Sequence, residues 1–144
     1  MKQRILFIDD NKDELVFFLD ALLLVPHDDG FKCTYASNTV QACEMLKLLV
    51  PDFIFVDFNM PTMNGLEFIA FTTSQPQLKN TKWCLYSASS NKQMNRLAEH
   101  FGANCIKKAD TINELALNLS EFLITNAQAE LVSSDAQPDY SFSK

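Results

Sequence analysis

The residues of this chain best suited to chemistry stand just after short apolar runs. Asp9 and Asp10 follow the run at 5–8, and Asp57 follows 53–56 with Asn59 two residues on. Ser87 follows 83–86, and Lys107-Lys108 follows Cys105-Ile106. If these points meet in space, three aspartates share one small volume. Two like charges about 4 Å apart repel by roughly 4 kcal/mol at an effective dielectric of 20, so the cluster calls for a counter-ion. A hard dication with oxygen ligands meets that need. Mg²⁺ suits a site of few carboxylates, retained waters and a phosphate oxygen. No His or Cys stands at these run ends, which disfavours zinc.

Phosphoryl transfer is the chemistry that uses such a set. The transferred group carries charge on its equatorial oxygens, and catalysis is mostly positioning and charge stabilisation. The Asp57 carboxylate can serve as nucleophile. A dication takes one phosphoryl oxygen, a Lys another, and the Ser87 hydroxyl with a nearby backbone N–H the third. Singly, each residue has an ordinary duty: Asp9-Asp10 a helix cap, Asp57 and Asn59 a turn, Ser87 a capping hydroxyl, Lys107 or Lys108 a solvated charge. Their meeting is what argues for a site.

The elements that would bring them together are legible. Continuous apolar runs at 5–8, 53–56 and 83–86 read as strands covered on both faces. Residues 31–35 alternate, as a strand wet on one side does, and 105–106 is a short fifth candidate. Helical stripes lie between: Leu15, Phe18, Leu19 and Leu22; Ala42, Met45, Leu46 and Leu49; a weaker stretch after Asn64-Gly65, itself a strong turn signal; Met94, Leu97, Ala98 and Phe101. The cleanest stripe comes last, with Ile112, Leu115, Ala116, Leu119, Phe122 and Leu123. Five repeats of strand then helix imply an α/β, doubly wound (βα)5 domain with a five-stranded parallel sheet. The flavodoxin-like order 2-1-3-4-5 places the two least buried strands at the edges. Strands 1, 3, 4 and 5 are then neighbours, and their carboxyl ends form one edge where ligands bind.

Composition bounds the rest. Apolar residues are 47% of the 144, with twelve Phe, and charged residues are 21%, as in a globular chain. Twelve Lys and Arg against eighteen Asp and Glu give a net charge of -6, with no basic run to track a phosphate backbone. Nucleic acid is an unsuitable partner. Cys33, Cys43, Cys84 and Cys105 show neither a C-x-x-C pair nor a His cluster, so buried thiols are expected. The apolar stretch after Met1-Lys2-Gln3-Arg4 is too short for a signal peptide, and no run reaches membrane-spanning length. A cytoplasmic protein without membrane association is the expectation. Residues 1–125 read as one domain, and 126–144 as a polar, mostly disordered tail.

The stretches Ile8-Asp9-Asp10, Val56-Asp57-Phe58-Asn59-Met60-Pro61-x-Met63-Asn64-Gly65, Tyr86-Ser87-Ala88-Ser89 and Gly102-Ala103-Asn104 together resemble the response-regulator receiver domain of two-component signalling. The resemblance spans about residues 4–125. It implies that Asp57 is the phosphoacceptor, that Asp10 is a direct ligand of Mg²⁺, that Asp9 assists through water, and that Asn59 offers its backbone carbonyl. It further implies that Ser87 is the switch hydroxyl and that a Lys at the end of strand 5 pairs with the phosphoryl group. A histidine kinase or phosphotransfer protein would supply phosphate, and the domain would either signal to an unidentified protein target or relay the phosphate onward. The domain would assist only its own phosphoryl transfer and dephosphorylation.

Two positions depart from the family pattern. Counting back from the last helix makes Lys108 the pocket lysine, with Lys107 the alternative. Ala109 then replaces the usual proline and Cys105 the usual aromatic. A cis bond before a non-proline residue costs roughly 2.5–4 kcal/mol, so a trans Lys108–Ala109 bond is expected. The alternative function is a haloacid-dehalogenase-like, Mg²⁺-dependent phosphatase, which would want an acid where Asn59 stands and usually a cap domain. A flavodoxin-like cofactor binder would want a Ser/Thr/Gly-rich loop where Asp9-Asp10 stands, and those charges would repel its phosphate.

Overall fold

The computed structural model describes residues 2–89 and 91–126. Five strands, β1 (Gln3–Ile8), β2 (Phe31–Ala36), β3 (Phe53–Asp57), β4 (Lys82–Ser87) and β5 (Ala103–Lys107), pair in the order β2-β1-β3-β4-β5, all parallel. They alternate with α1 (Lys12–Leu22), α2 (Thr39–Leu46), α3 (Gly65–Thr72) and α4 (Lys92–His100), and with a helix α5 over residues 112–126. The expected fold class and strand order hold.

Side-chain alternation along each strand sorts one apolar run into two cores. Ile5, Phe7, Phe53, Phe55, Cys84 and Tyr86 face α1 and α5, where they meet Phe18, Leu115, Leu119 and Phe122. Leu6, Ile8, Ile54, Val56, Trp83 and Leu85 face the other layer, against Ala42, Leu46, Phe68, Ile69 and Ala98. A strand buried on both faces cannot carry the polar alternation of a half-wet one, hence the continuous runs.

Four of the five helices start where asparagines accept from their first turns. Asn11, Asn38, Asn64 and Asn91 cap α1, α2, α3 and α4 through Asp13, Gln41, Glu67 and Met94 backbone N–H groups. At α3 the arrangement is reciprocal, because the Glu67 carboxylate also accepts from Asn64 N–H at 2.9 Å. Asn64-Gly65 is therefore a helix start and not a free-standing turn.

Several readings need correction. Leu19 and Leu97, assigned to packed stripes, are exposed, and Ala21 is buried in place of Leu19. β5 has five residues instead of two; its exposed Asn104 and Lys107 break the apolar pattern of an edge strand. Only Cys84 among the four free thiols is fully buried. Asn126 is still helical, and its side chain donates to Phe122 O at 2.7 Å. The rest of the supposed tail, residues 127–144, lies outside the described residues.

Gly65 fixes the approach of α3 to the sheet. Its N–H donates to Phe58 O at 2.9 Å. A Cβ at this position would lie 2.3 Å from the Asp57 carbonyl oxygen and 2.9 Å from Leu85 Cδ1. The backbone of β3 cannot yield without moving the Asp57 side chain. Gly65→Ala should cost about 2–3 kcal/mol, the upper part of the overpacking range, although Ala is the better helix former. Urea unfolding of the two proteins measures it; a neutral or stabilising change would refute the close approach.

Candidate functional site

Neighbouring strands deliver the polar residues to one edge. The ladder pairs Ile8 with Val56, Asp57 with Tyr86, and Ser87 with Lys107. Past the last rungs it continues through Phe58 N–H to Tyr86 O at 3.2 Å and Lys108 N–H to Ser87 O at 2.7 Å. Asp9, Asp57, Ser87 and Lys108 are therefore held by backbone at adjacent strand ends.

Oxygen atoms of Asp9, Asp10 and Asp57 lie within 4.8 Å of one another. Asp9 and Asp57 are buried, and Asp10 is exposed. The Asp9 Oδ1 accepts from Asn11 N–H at 2.9 Å, while Tyr35 Oη donates to the Asp9 carbonyl at 2.7 Å. The Asp57 carboxylate accepts from the Asn59 N–H. Hard oxygen donors at this spacing fit a dication such as Mg²⁺ and leave no soft ligand for zinc.

Lys108 supplies the opposing charge. Its Nζ is 3.0 Å from Asp57 Oδ1, 3.3 Å from Asp9 Oδ2 and 3.9 Å from Glu14 Oε1. Lys107 is exposed, so Lys108 is the pocket lysine. No described peptide bond is cis, the Lys108–Ala109 bond included. Ser87 is buried at the same edge, but its hydroxyl donates to Ser89 O at 2.6 Å and is committed to its own loop. The Asn59 side chain is exposed.

Burial pushes the Asp57 pKa up, and the charge of Asp10 adds to it. The hydrogen bond from Lys108, its charge and the Asn59 N–H act the other way without restoring the ordinary value. Asp9 is raised for the same first reason, desolvation, with Asp57 as its like-charged neighbour. For Lys108 desolvation opposes the charge, and the bond to Asp57 with the charges of Asp9, Asp57 and Glu14 outweighs it, so its pKa is raised. The ammonium is firmly charged, and Asp9 and Asp57 beside it are under-compensated.

Two members of this network escaped the sequence reading. Glu14 passes for an ordinary acidic residue of a first helical turn, and Tyr86 for one more apolar strand position. Spacing gave no signal for Glu14, because Asp10 precedes the cap Asn11 and helical periodicity does not relate the two.

The response regulator receiver domain family matches residues 5–119. The "Probable chemotaxis protein CheY" of Rhizobium etli is 27% identical over 116 residues, 79% of this chain and 87% of that protein. Among solved structures, the phosphorylated cyanobacterial phytochrome response regulator RcpA shares the fold with a TM-score of 0.73 at 22% identity, over 85% of this chain and 91% of that one. The Mn²⁺-bound form of response regulator Rcp1 does so at 0.68 and 20%, over 83% and 90%.

The pKa directions set a sign for stability. A raised Asp57 means the folded state binds the proton more tightly than the unfolded chain, whose value is near 3.8. Without metal, this group's contribution is most favourable below that value and is lost as pH rises through the raised one. Asp57→Asn removes the penalty, and Lys108 keeps Asp9 and Glu14. In EDTA the variant should melt a few degrees above the unaltered protein at neutral pH, with the gap closing toward pH 4. A variant that melts lower at neutral pH would show that the Lys108 pairing outweighs burial.

Proposed function

This chain belongs to the response regulator receiver domain family, the phosphorylation-controlled signalling domain of two-component systems, and on that premise we propose that Asp57 is its phosphoacceptor. One observation carries the reading: a buried carboxylate at the end of β3 lies 3.0 Å from Lys108 Nζ, in an acidic cluster spaced for a dication. The donor is a phosphohistidine on a sensor kinase or phosphotransfer protein. An Asp57 oxygen attacks phosphorus, the P–O bond forms as the P–N bond breaks, and the departing imidazole nitrogen takes a proton. Lys108 Nζ follows one phosphoryl oxygen, and Ser87 Oγ donates to another after leaving the Ser89 carbonyl.

Asp10, Asp57 and the Asn59 carbonyl would hold Mg²⁺, with Asp9 acting through water. When bound, the ion supplies charge neutralisation for the carboxylates and the transferred group. The Mn²⁺-bound Rcp1 and the phosphorylated RcpA support this by likeness of fold. Asn59 carries no titratable proton, which favours a switch over a phosphatase of external substrates; the chain's own chemistry is its phosphorylation and its slower hydrolysis. Output passes to a protein partner in the cytoplasm. Among the described residues, no helix is long and apolar enough to cross a membrane.

Incubation with acetyl phosphate and Mg²⁺, followed by mass spectrometry, should show one added phosphoryl group. Asp57→Asn should lose it, and undiminished labelling of that variant would sink the assignment. Mg²⁺ should also raise the melting temperature of the unaltered protein, because it binds the folded state. In Asp10→Ala most of that increment should vanish. An equal increment in both would place the ion elsewhere.

A further inference from the structure

Lys108 has partners on two sides. Asp57 and Asp9, at 3.0 and 3.3 Å, belong to the cluster that fits a dication. Glu14, at 3.9 Å, does not. Lys108 Nζ also lies 5.2 Å from the centroid of the Tyr86 ring, within cation–π range. Tyr86 is fully buried, and its hydroxyl is among the few buried polar side-chain atoms without a hydrogen-bond partner in the described residues. Phe7 and Phe18 pack at 5.7 and 6.2 Å between ring centroids and hold the ring in place.

We propose that Glu14 and the Tyr86 ring form a second station for the Lys108 ammonium, which keeps it at the pocket when a dication occupies the aspartates. This rests on the metal-site reading above. A dication at the aspartate cluster would repel the ammonium and draw on the carboxylates that hold it, Asp57 directly and Asp9 through water. Lys108 would then trade a fixed position for the rotamer freedom of a long side chain. Glu14 stands outside the cluster and is left to the ammonium, and the ring face offers attraction that needs no anion. Glu14 is thus a positioning residue: it touches the reacting atoms only through Lys108.

The same arrangement predicts coupling. With Glu14 present, Lys108 yields the aspartates to Mg²⁺ readily. With Glu14→Gln, an isosteric change at a partly exposed position, Lys108 competes harder for Asp9 and Asp57. Calorimetric titration with Mg²⁺ should show binding weakened about fivefold by Glu14→Gln, a coupling ordinary for groups in contact. In a Lys108→Met background the same change should cost about twofold or less, the direct effect of one distant charge. A second readout avoids that background, whose aspartates lack their cation. In the Mg²⁺-loaded unaltered protein the two ε-methylene protons of Lys108 should be inequivalent by NMR, as in a held side chain. In Glu14→Gln they should average. Failure of Mg²⁺ to bind the unaltered chain would overturn the metal site and this proposal with it. Equal losses in both backgrounds, or averaged ε protons in the loaded unaltered protein, would overturn the proposal alone.

Discussion

Everything at the carboxyl edge of this sheet depends on one ammonium group among more carboxylates than it can balance. Lys108 reaches Asp57, Asp9 and Glu14, yet Asp57 and Asp9 still have raised pKa values. Desolvation, first among the causes at both, exceeds what the lysine returns. Buried ion pairs commonly behave in this way, and they are weak evidence for stability. The site is better understood as a standing demand for positive charge. A dication would meet that demand, and so would any rearrangement that brings a cation closer.

Such a demand is tolerable only because the framework beneath it does not depend on the site. Phe7 stacks on Phe18 at 4.3 Å, Phe18 meets Phe55 edge-on at 5.0 Å, and Phe55 meets Phe122 at 5.5 Å. Aromatic contacts of this kind add roughly 0.5–1.5 kcal/mol each beyond their buried area. The cluster ties the central strands to α1 and α5 directly below the acidic pocket. Close packing there gives the strand ends their fixed spacing, and Gly65 lets α3 reach the back of Asp57. Position comes from apolar packing; reactivity comes from the charges set on top of it.

This division also explains what the sequence disclosed. Strand order and fold class were readable because burial on both faces leaves continuous apolar runs, and the two weaker runs fell at the edges. The individual helix faces were less readable. Leu19 and Leu97 are apolar, share the right period and lie in the open, because periodicity marks a stripe without marking how wide the contact is. The carboxylates and Lys108 could be placed since they follow strand ends. Glu14 could not, because an acidic first turn is already explained by the helix dipole. Tyr86 could not, because its place beside Lys108 is a contact between neighbouring strands that one strand's own pattern does not show.

Ser87 shows how the site can act on the surface around it. Its hydroxyl donates to Ser89 O at 2.6 Å and accepts from Ser89 N–H at 3.3 Å, closing a small loop at the end of β4. A hydroxyl has one proton to donate. To bond a phosphoryl oxygen on Asp57 it must release the Ser89 carbonyl, which then needs a new donor or water. On the proposed phosphorylation, residues 87–89 would be tied to the state of Asp57 by that exchangeable hydrogen bond. On the neighbouring strand the lever is shorter: Cys105 is a small, partly buried side chain packed in the core that faces α4, with little to swing. Lys108, meanwhile, is anchored by its own backbone N–H to Ser87 O at 2.7 Å. If Asp57 is phosphorylated as proposed, the response should therefore run through the exchangeable bond at 87–89 more than through 105–108, where the backbone bond of Lys108 holds.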